Sequence, residues 1–159
     1  MRIAHQSIAS VTARITLILA ALIALLFING CATVSSSAAP DAELGTYNKF
    51  YVVPGVDETH AVHVAIRDGL KVRGFDAITG PEERMPKDIQ VKVTYESQWI
   101  RDITWYLLDL IVYFKDPETD VLLASGHSYR PSWERKPPAS MVSEILDKIY
   151  GVSIGEGKK

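Results

Sequence analysis

In residues 89–98, IQVKVTYESQ, apolar and polar side chains alternate more regularly than anywhere else in the sequence. One face would carry Ile89, Val91, Val93, Tyr95 and Ser97, and the other Gln90, Lys92, Thr94, Glu96 and Gln98. Successive side chains of a strand point to opposite faces of a sheet. The alternation therefore predicts a strand with one buried and one solvated face, which is typical of antiparallel sheets.

Two further strands and a helix are predicted after this stretch. Residues 107–115, LLDLIVYFK, and 121–129, VLLASGHSY, are rich in apolar residues and read as strands. Residues 116–120, DPETD, separate them as a turn, since proline presets its own backbone angle and Asp116 can bond the backbone ahead. A last helix is predicted to begin at Pro138 and to end at Gly151, with one apolar stripe.

Before residues 89–98 the sequence predicts a strand, a helix and a second, shorter strand. Residues 47–53, YNKFYVV, are aromatic and β-branched, as strands often are. Val62, Ile66 and Leu70 then recur every four residues, which predicts an amphipathic helix. Residues 75–79, FDAIT, form the short strand that follows.

The predicted order is β-α-β-β-β-β-α, which is an α+β fold. We expect the first β-α-β unit to be parallel and the later strands to form an antiparallel meander. Two helices with one apolar stripe each would cover one face of a mixed, mostly antiparallel sheet. The 159 residues then divide into a leader at 1–30, a flexible tether at 31–43, an α+β domain at 44–151 and a tail at 152–159.

The leader has the layout of an export signal. Arg2 and Arg14 precede an apolar run of fourteen residues, 15–28. A helix of that length is about 21 Å long, whereas a bilayer core is about 30 Å thick. The run therefore suits a signal peptide better than a membrane span. Residues 32–40, ATVSSSAAP, are small and polar, which predicts a flexible tether after it.

Ile28, Asn29, Gly30 and Cys31 resemble the lipobox of bacterial lipoproteins, although Asn29 stands where a small residue is commoner. The resemblance implies cleavage before Cys31, a diacylglyceryl group on its sulfur, and an acyl chain such as palmitate on the new amine. Ala32 in place of aspartate implies the outer membrane rather than the inner. The alternatives are an ordinary cleaved signal with an incidental cysteine, or an N-terminal membrane anchor.

Charge and cysteine count narrow the range of partners. The leader holds two of the 17 basic residues and none of the 19 acidic ones, so the mature chain has 15 basic and 19 acidic residues. A mildly acidic body gives no support for nucleic-acid binding. It also argues against electrostatic docking on anionic lipid. The membrane is therefore predicted as a partner only through the lipid on Cys31, the single cysteine of the chain.

The domain resembles small Gram-negative envelope lipoproteins of uncharacterised function, in residues 50–55 (FYVVPG), 93–104 (VTYESQWIRDIT) and 114–132 (FKDPETDVLLASGHSYRPS). Its element order and its strand–DPET–strand hairpin are also similar to modules of curli-secretion and penicillin-binding-protein-activator lipoproteins. These likenesses imply a periplasmic protein-binding module and not an enzyme.

No catalytic residue, metal ligand or cofactor site is predicted. His60 and His63 are three residues apart on a predicted helix, but no cysteine stands close by in sequence and the HExxH pattern is absent. His127 and Ser128 are neighbours on a strand and point to opposite faces, so the histidine cannot readily activate the serine.

The connection between the third and fourth predicted strands is unusually aromatic. If the meander pairs as predicted, the start of the fourth strand meets the end of the fifth. Tryptophan, tyrosine and arginine, which dominate protein interfaces, occur in both segments. The candidate protein-binding residues are Trp99, Arg101, Asp102, Trp105, Arg130 and Trp133. The competing interpretation is that both tryptophans of the connection cap the edge of the core and that Arg101 pairs with Asp102.

The sequence therefore predicts an outer-membrane lipoprotein whose periplasmic domain is not an enzyme and binds or supports another envelope component, such as a protein partner. Two alternatives stay open. One is a small envelope hydrolase that uses His127 or Asp102, and the other is a structural lipoprotein without a dedicated ligand.

Overall fold

The computed structural model of the protein describes residues 32–39, 44–56 and 58–151. The predicted leader, Cys31 and the predicted tail at 152–159 lie outside the described residues. The strands are β1 (Thr33–Ala38), β2 (Lys49–Val52), β3 (Asp76–Thr79), β4 (Val91–Arg101), β5 (Trp105–Lys115) and β6 (Leu122–Tyr129). The helices are α1 (Val62–Val72) and α2 (Pro138–Tyr150).

The strands form one mixed sheet in the order β1-β6-β5-β4-β2-β3. The pairs β1/β6, β6/β5 and β5/β4 are antiparallel, whereas β2 is parallel to both β4 and β3. The predicted α+β fold is confirmed, and so is the parallel pairing within the β2-α1-β3 unit. The pairing of β2 with β4 joins the strands of the two halves of the chain into one sheet, and it was not predicted.

The core lies between the sheet and the two helices. Helix α1 buries Val62, Ile66 and Leu70, as the four-residue repeat predicts, and α2 buries a stripe from Met141 to Leu146. The sheet meets them with buried side chains at alternate positions. Among these are Phe50, Val52, Val91, Val93, Leu110, Val112 and Phe114.

Two glycines set how closely α2 can approach its neighbours. A Cβ on Gly126 of β6 would lie 2.3 Å from Ile145 Cγ2, so α2 packs directly on the backbone of that strand. A Cβ on Gly69 of α1 would lie 3.0 Å from both Leu146 Cδ1 and Val142 Cγ1. Both helices therefore share one face of the sheet and contact each other there.

The predicted flexible tether is wrong for Thr33–Ala38, because these residues form strand β1. They pair with β6 from Thr33 opposite Tyr129 to Ala38 opposite Ala124. An edge strand is held by backbone hydrogen bonds to one neighbour, which serine and alanine can make as well as apolar residues. Strand β1 buries little of its own surface, so its small polar residues carry no apolar pattern from which a strand could be predicted.

One end of the sheet gathers the segments that matter for function. Thr33, the first residue of β1, lies opposite Tyr129, and Tyr129 lies opposite Asp109 near the start of β5. The chain thus enters the sheet level with Asp109, four residues along β5 from Trp105, in the half of the sheet that ends in the β4–β5 turn. This half is called the hairpin end below. In the part of the chain that the structure describes, no helix is long and apolar enough to cross a membrane.

Candidate functional site

The two segments of the predicted binding patch lie side by side at the hairpin end. The Arg130 amide donates a hydrogen bond to the carbonyl of Leu108, 2.8 Å away, which fixes the exit of β6 against β5. Beyond it, Arg135 donates to the Asp102 carboxylate at 2.6 Å, and its guanidinium lies 4.3 Å from the centre of the Tyr106 ring. The six candidate residues nevertheless divide into internal and exposed ones.

Trp99 is internal. A register shift between Gln98 and Trp99 alters the β4–β5 pairing, and the indole packs against the core. The His60 ring stacks on it with centroids 3.8 Å apart, and the Trp105 ring lies 6.2 Å from the same His60 ring. His60 is therefore a packing residue. Among the described residues, no group of three or more His, Cys, Asp or Glu could hold a metal ion.

Arg130 is also internal, since only 8% of it is exposed. Its guanidinium bonds Glu134 at 3.3 Å and also Glu144 on α2, which Lys136 bonds as well. Burial acts to raise the pKa of Glu144, but the hydrogen bonds from Lys136 and Arg130 outweigh it and hold that pKa below its ordinary value. The cluster joins the end of β6 to α2 and so holds the turn that carries Trp133.

Arg101 and Asp102 do not pair with each other. Asp102 bonds Arg135, whereas the Arg101 guanidinium carbon lies 6.0 Å from the centre of the Trp105 ring. The expected Arg101–Asp102 pair is therefore replaced by a link between the turn and the segment after β6. That link holds the β4–β5 turn against the segment that carries Trp133.

Besides the charged Arg101 and Asp102, this end of the sheet exposes large apolar side chains. Ile103 is 92% exposed at the middle of the β4–β5 turn, Trp105 is 55% exposed, and Trp133 is 66% exposed. Trp133 precedes by two residues Arg135, whose side chain bonds Asp102 and Thr104 on either side of Ile103. These three residues, Ile103, Trp105 and Trp133, are called the apolar tip below. The interpretation that Trp105 caps the core is thus wrong, whereas it holds for Trp99.

Ile103 is the residue that sequence reasoning missed. It stands between Asp102 and Thr104 in a turn of three residues, where a polar residue is usual. An isolated aliphatic side chain at a turn was the available signal.

His127 lies on the face of the sheet away from the helices, and its Nε2 atom is 2.6 Å from the Asp109 carboxylate. Ser128 is fully buried, and its hydroxyl has no hydrogen-bond partner. The neighbour of His127 on β1 is Ser35. In the described part of the chain, no hydrogen bond joins that serine to the imidazole. The arrangement is a histidine–carboxylate pair on an open sheet face.

A shallow hollow of about 190 Å³ lies beside Asp109 on this face, and larger depressions lie elsewhere on the described part of the domain. A crevice of about 570 Å³ beside the ends of β2 and β3 is lined by His63, Thr79, Glu82 and Glu83 among others. An apolar groove of about 500 Å³ runs between the two helices. Neither gathers the predicted site residues.

No protein-family model matches the chain, and no curated protein matches it. Two similar solved structures are of the PelC dodecamer from Paraburkholderia phytofirmans. One, a leucine-to-methionine variant, is 14% identical with a TM-score of 0.58 and covers 75% of this chain and 98% of that one. The other is 15% identical with a TM-score of 0.56 and covers 74% and 97%. The chain therefore shares the fold of PelC over about three-quarters of its length.

Proposed function

We propose that the chain is an outer-membrane lipoprotein, anchored through Cys31, whose non-catalytic periplasmic domain contacts another envelope component through the apolar tip. The sequence pattern of the leader and of residues 28–31 supports the anchor. The similarity to the PelC fold supports an envelope-associated role for the chain.

The observation that carries the contact is the exposure of Ile103, Trp105 and Trp133 at one end of the sheet. Large apolar side chains exposed together on a monomer mark sites of interaction with proteins or membranes. The cluster is also held in place, since Arg135 bonds the β4–β5 turn and Arg130 bonds α2. A rigid display of this kind suits contact better than catalysis, because it offers surface without a set of reacting groups.

The anchor is tested by replacing Cys31 and separating the cell fractions. We expect the natural protein in the outer-membrane fraction and the Cys31→Ser variant outside it, because serine has no sulfur to acylate. Recovery of both proteins in the same fraction would contradict the proposed anchor.

The contact is tested by photocrosslinking in cells from a benzophenone amino acid at position 103. Position 121, which holds an exposed residue at the β5–β6 turn, is the control. We expect one reproducible adduct, protein or lipid, from position 103 and none from position 121. Adducts of equal yield from both positions, or from neither, would show that the tip contacts nothing in particular.

A small envelope hydrolase is the second candidate, and the pairing of His127 with Asp109 favours it. The pair is the kind that serves as a general base when a nucleophile stands beside it. Purified protein that hydrolyses ester or amide substrates, with loss of that activity in His127→Gln, would establish this candidate. Equal background rates in both proteins would remove it.

A further inference from the structure

We infer that the component touched by the apolar tip is the lipid surface of the membrane that holds Cys31. The inference rests on the proposed function, because it takes the lipid on Cys31 as given. It adds what the domain does with that anchor: instead of swinging on a tether, the domain rests on the bilayer with Ile103, Trp105 and Trp133 in the interface.

Only a short length of chain separates the anchor from the sheet. Strand β1 begins at Thr33, two residues after Cys31. Two residues span at most about 7 Å. From Thr33 onward the backbone is paired with β6 along the whole of β1. The lipidated cysteine would therefore keep the start of β1 within about 7 Å of its own position at the membrane surface.

The segments that carry the apolar tip follow the strands next to the start of β1. Thr33 pairs with Tyr129, and the β6 strand leads directly into the turn that carries Trp133. The adjacent β5 strand begins at Trp105, just after the turn that carries Ile103. The entry point of the chain thus lies in the same half of the sheet as the apolar tip, at the level of Asp109, which is four residues along β5 from Trp105.

The chemistry of the tip suits a membrane interface. Tryptophan is enriched at membrane–water interfaces, where its ring sits at headgroup level with one apolar and one polar side. All three tryptophans of the chain, at positions 99, 105 and 133, belong to the hairpin end. The exposed large hydrophobic residues near the opposite end are aliphatic, namely Val72, Val121 and Leu122.

The acidic groups near the apolar tip are paired with arginines. Near the tip, Asp102 is paired with Arg135, and Glu134 is paired with Arg130. Arg101 lies beside Trp105. The acidic groups there are thus neutralised, and phosphate headgroups would not be repelled. The contact is apolar and not electrostatic, so salt should change it little.

The test uses the lipidated mature protein in vesicles of phosphatidylethanolamine and phosphatidylglycerol, with and without lipid brominated on its acyl chains. Bromine quenches tryptophan at short range. Trp99 is stacked on His60, so two of the three tryptophans can be reached. We expect bromine to remove up to about two-thirds of the emission of the natural protein and little of the emission of a Trp105→Tyr, Trp133→Tyr variant.

Controls separate the causes. The matched variant Val121→Ser, Leu122→Ser changes exposed residues away from the tip and should be quenched like the natural protein. One molar salt should not reduce the quenching. Circular dichroism of the tyrosine variant checks that it remains folded, and Ile103→Ser supplies a second variant that should weaken quenching without touching a tryptophan.

The outcomes are distinguishable. Lipidated protein that shows no quenching, or that crosslinks from position 103 to a protein and not to lipid, overturns the inference and leaves the proposed anchor standing. An unmodified Cys31, seen in the mass of the same preparation, overturns the proposed function and the inference together. Quenching that is lost in the Trp105→Tyr, Trp133→Tyr variant and weakened in Ile103→Ser supports both.

Discussion

At the scale of single residues, Arg130 shows how a side chain can look like a binding residue and serve the fold. It leaves β6 beside Pro131 and Trp133, and its charge suggests a surface role. Its guanidinium is instead buried between Glu134 and Glu144. The residue therefore fixes the backbone from which the apolar tip projects.

Replacing Arg130 should destabilise the domain. We expect Arg130→Met to lower the free energy of unfolding by about 1–2 kcal/mol, because it leaves Glu144 partly buried with Lys136 as its remaining partner. Urea denaturation measures the change. The control is Arg101→Met, which removes an exposed arginine and should stay within about 0.5 kcal/mol. Equal losses in both variants would contradict an internal role for Arg130.

Glu144 should make stability depend on pH in the acid range. Its pKa is lowered in the folded protein, so folding favours the ionised carboxylate. Its contribution is present above the ordinary value of 4.5 and is lost as the pH falls through the lower folded value. The gap in unfolding free energy between the natural protein and Glu144→Gln should therefore be largest near neutral pH and shrink in acid. A gap that widens in acid would contradict this sign.

At the scale of elements, β1 and β4 mark the limits of prediction from sequence. In β4 the alternation of Val91 and Val93 with Lys92 and Thr94 specifies a strand, although Lys92, predicted on the solvated face, is itself buried and pairs with Glu82 and Asp120. Strand β1 carries no such mark, since its pairing with β6 depends on the backbone. Its sequence, TVSSSA, is compatible with a linker as well as with an edge.

The orientation of β1 can be tested with proline. Ala39 donates to the Leu123 carbonyl, so the alternation of an antiparallel ladder directs the Ser35 amide to β6 and the Ser36 amide away from it. Ser35→Pro should release β1, whereas Ser36→Pro should be tolerated. Limited proteolysis measures the release as faster cleavage within residues 32–39. Equal cleavage rates in the two variants would contradict the register.

The contact of α2 with β6 can be tested at Gly126. A Cβ there meets Ile145 Cγ2 at 2.3 Å, and both groups belong to the core. We expect Gly126→Ala to cost about 1–3 kcal/mol of stability by overpacking. Gly45→Ala is the control, since a Cβ at Gly45 meets nothing within 4 Å. A thermal melt compares the two, and equal melting temperatures would mean that α2 yields without cost.

The candidate site could be predicted only in part, because residue type is visible in the sequence and spatial neighbours are not. Residue type singled out Trp105 and Trp133, because exposed tryptophan is costly unless something covers it. The internal roles of Trp99 and Arg130 depend on His60 and Glu144, which are distant in sequence. Those partners become neighbours only when β2, β4 and α2 are placed in the fold.

At the scale of the whole molecule, the absence of a tether over Thr33–Ala38 changes what a lipid anchor would do. A flexible linker would let the domain sample the periplasm around its attachment point. A strand that starts two residues after Cys31 would hold one end of the sheet at the membrane instead. The apolar tip at that end would then have a defined neighbour, and the opposite end would point away from the membrane.

The proposed lipid on Cys31 would anchor this domain, and mass spectrometry of the mature N-terminus measures that lipid. We expect a chain that begins at Cys31 and carries the added mass of a diacylglyceryl group, with or without a further acyl chain on its amine. A chain that begins elsewhere, or an unmodified Cys31, would contradict it.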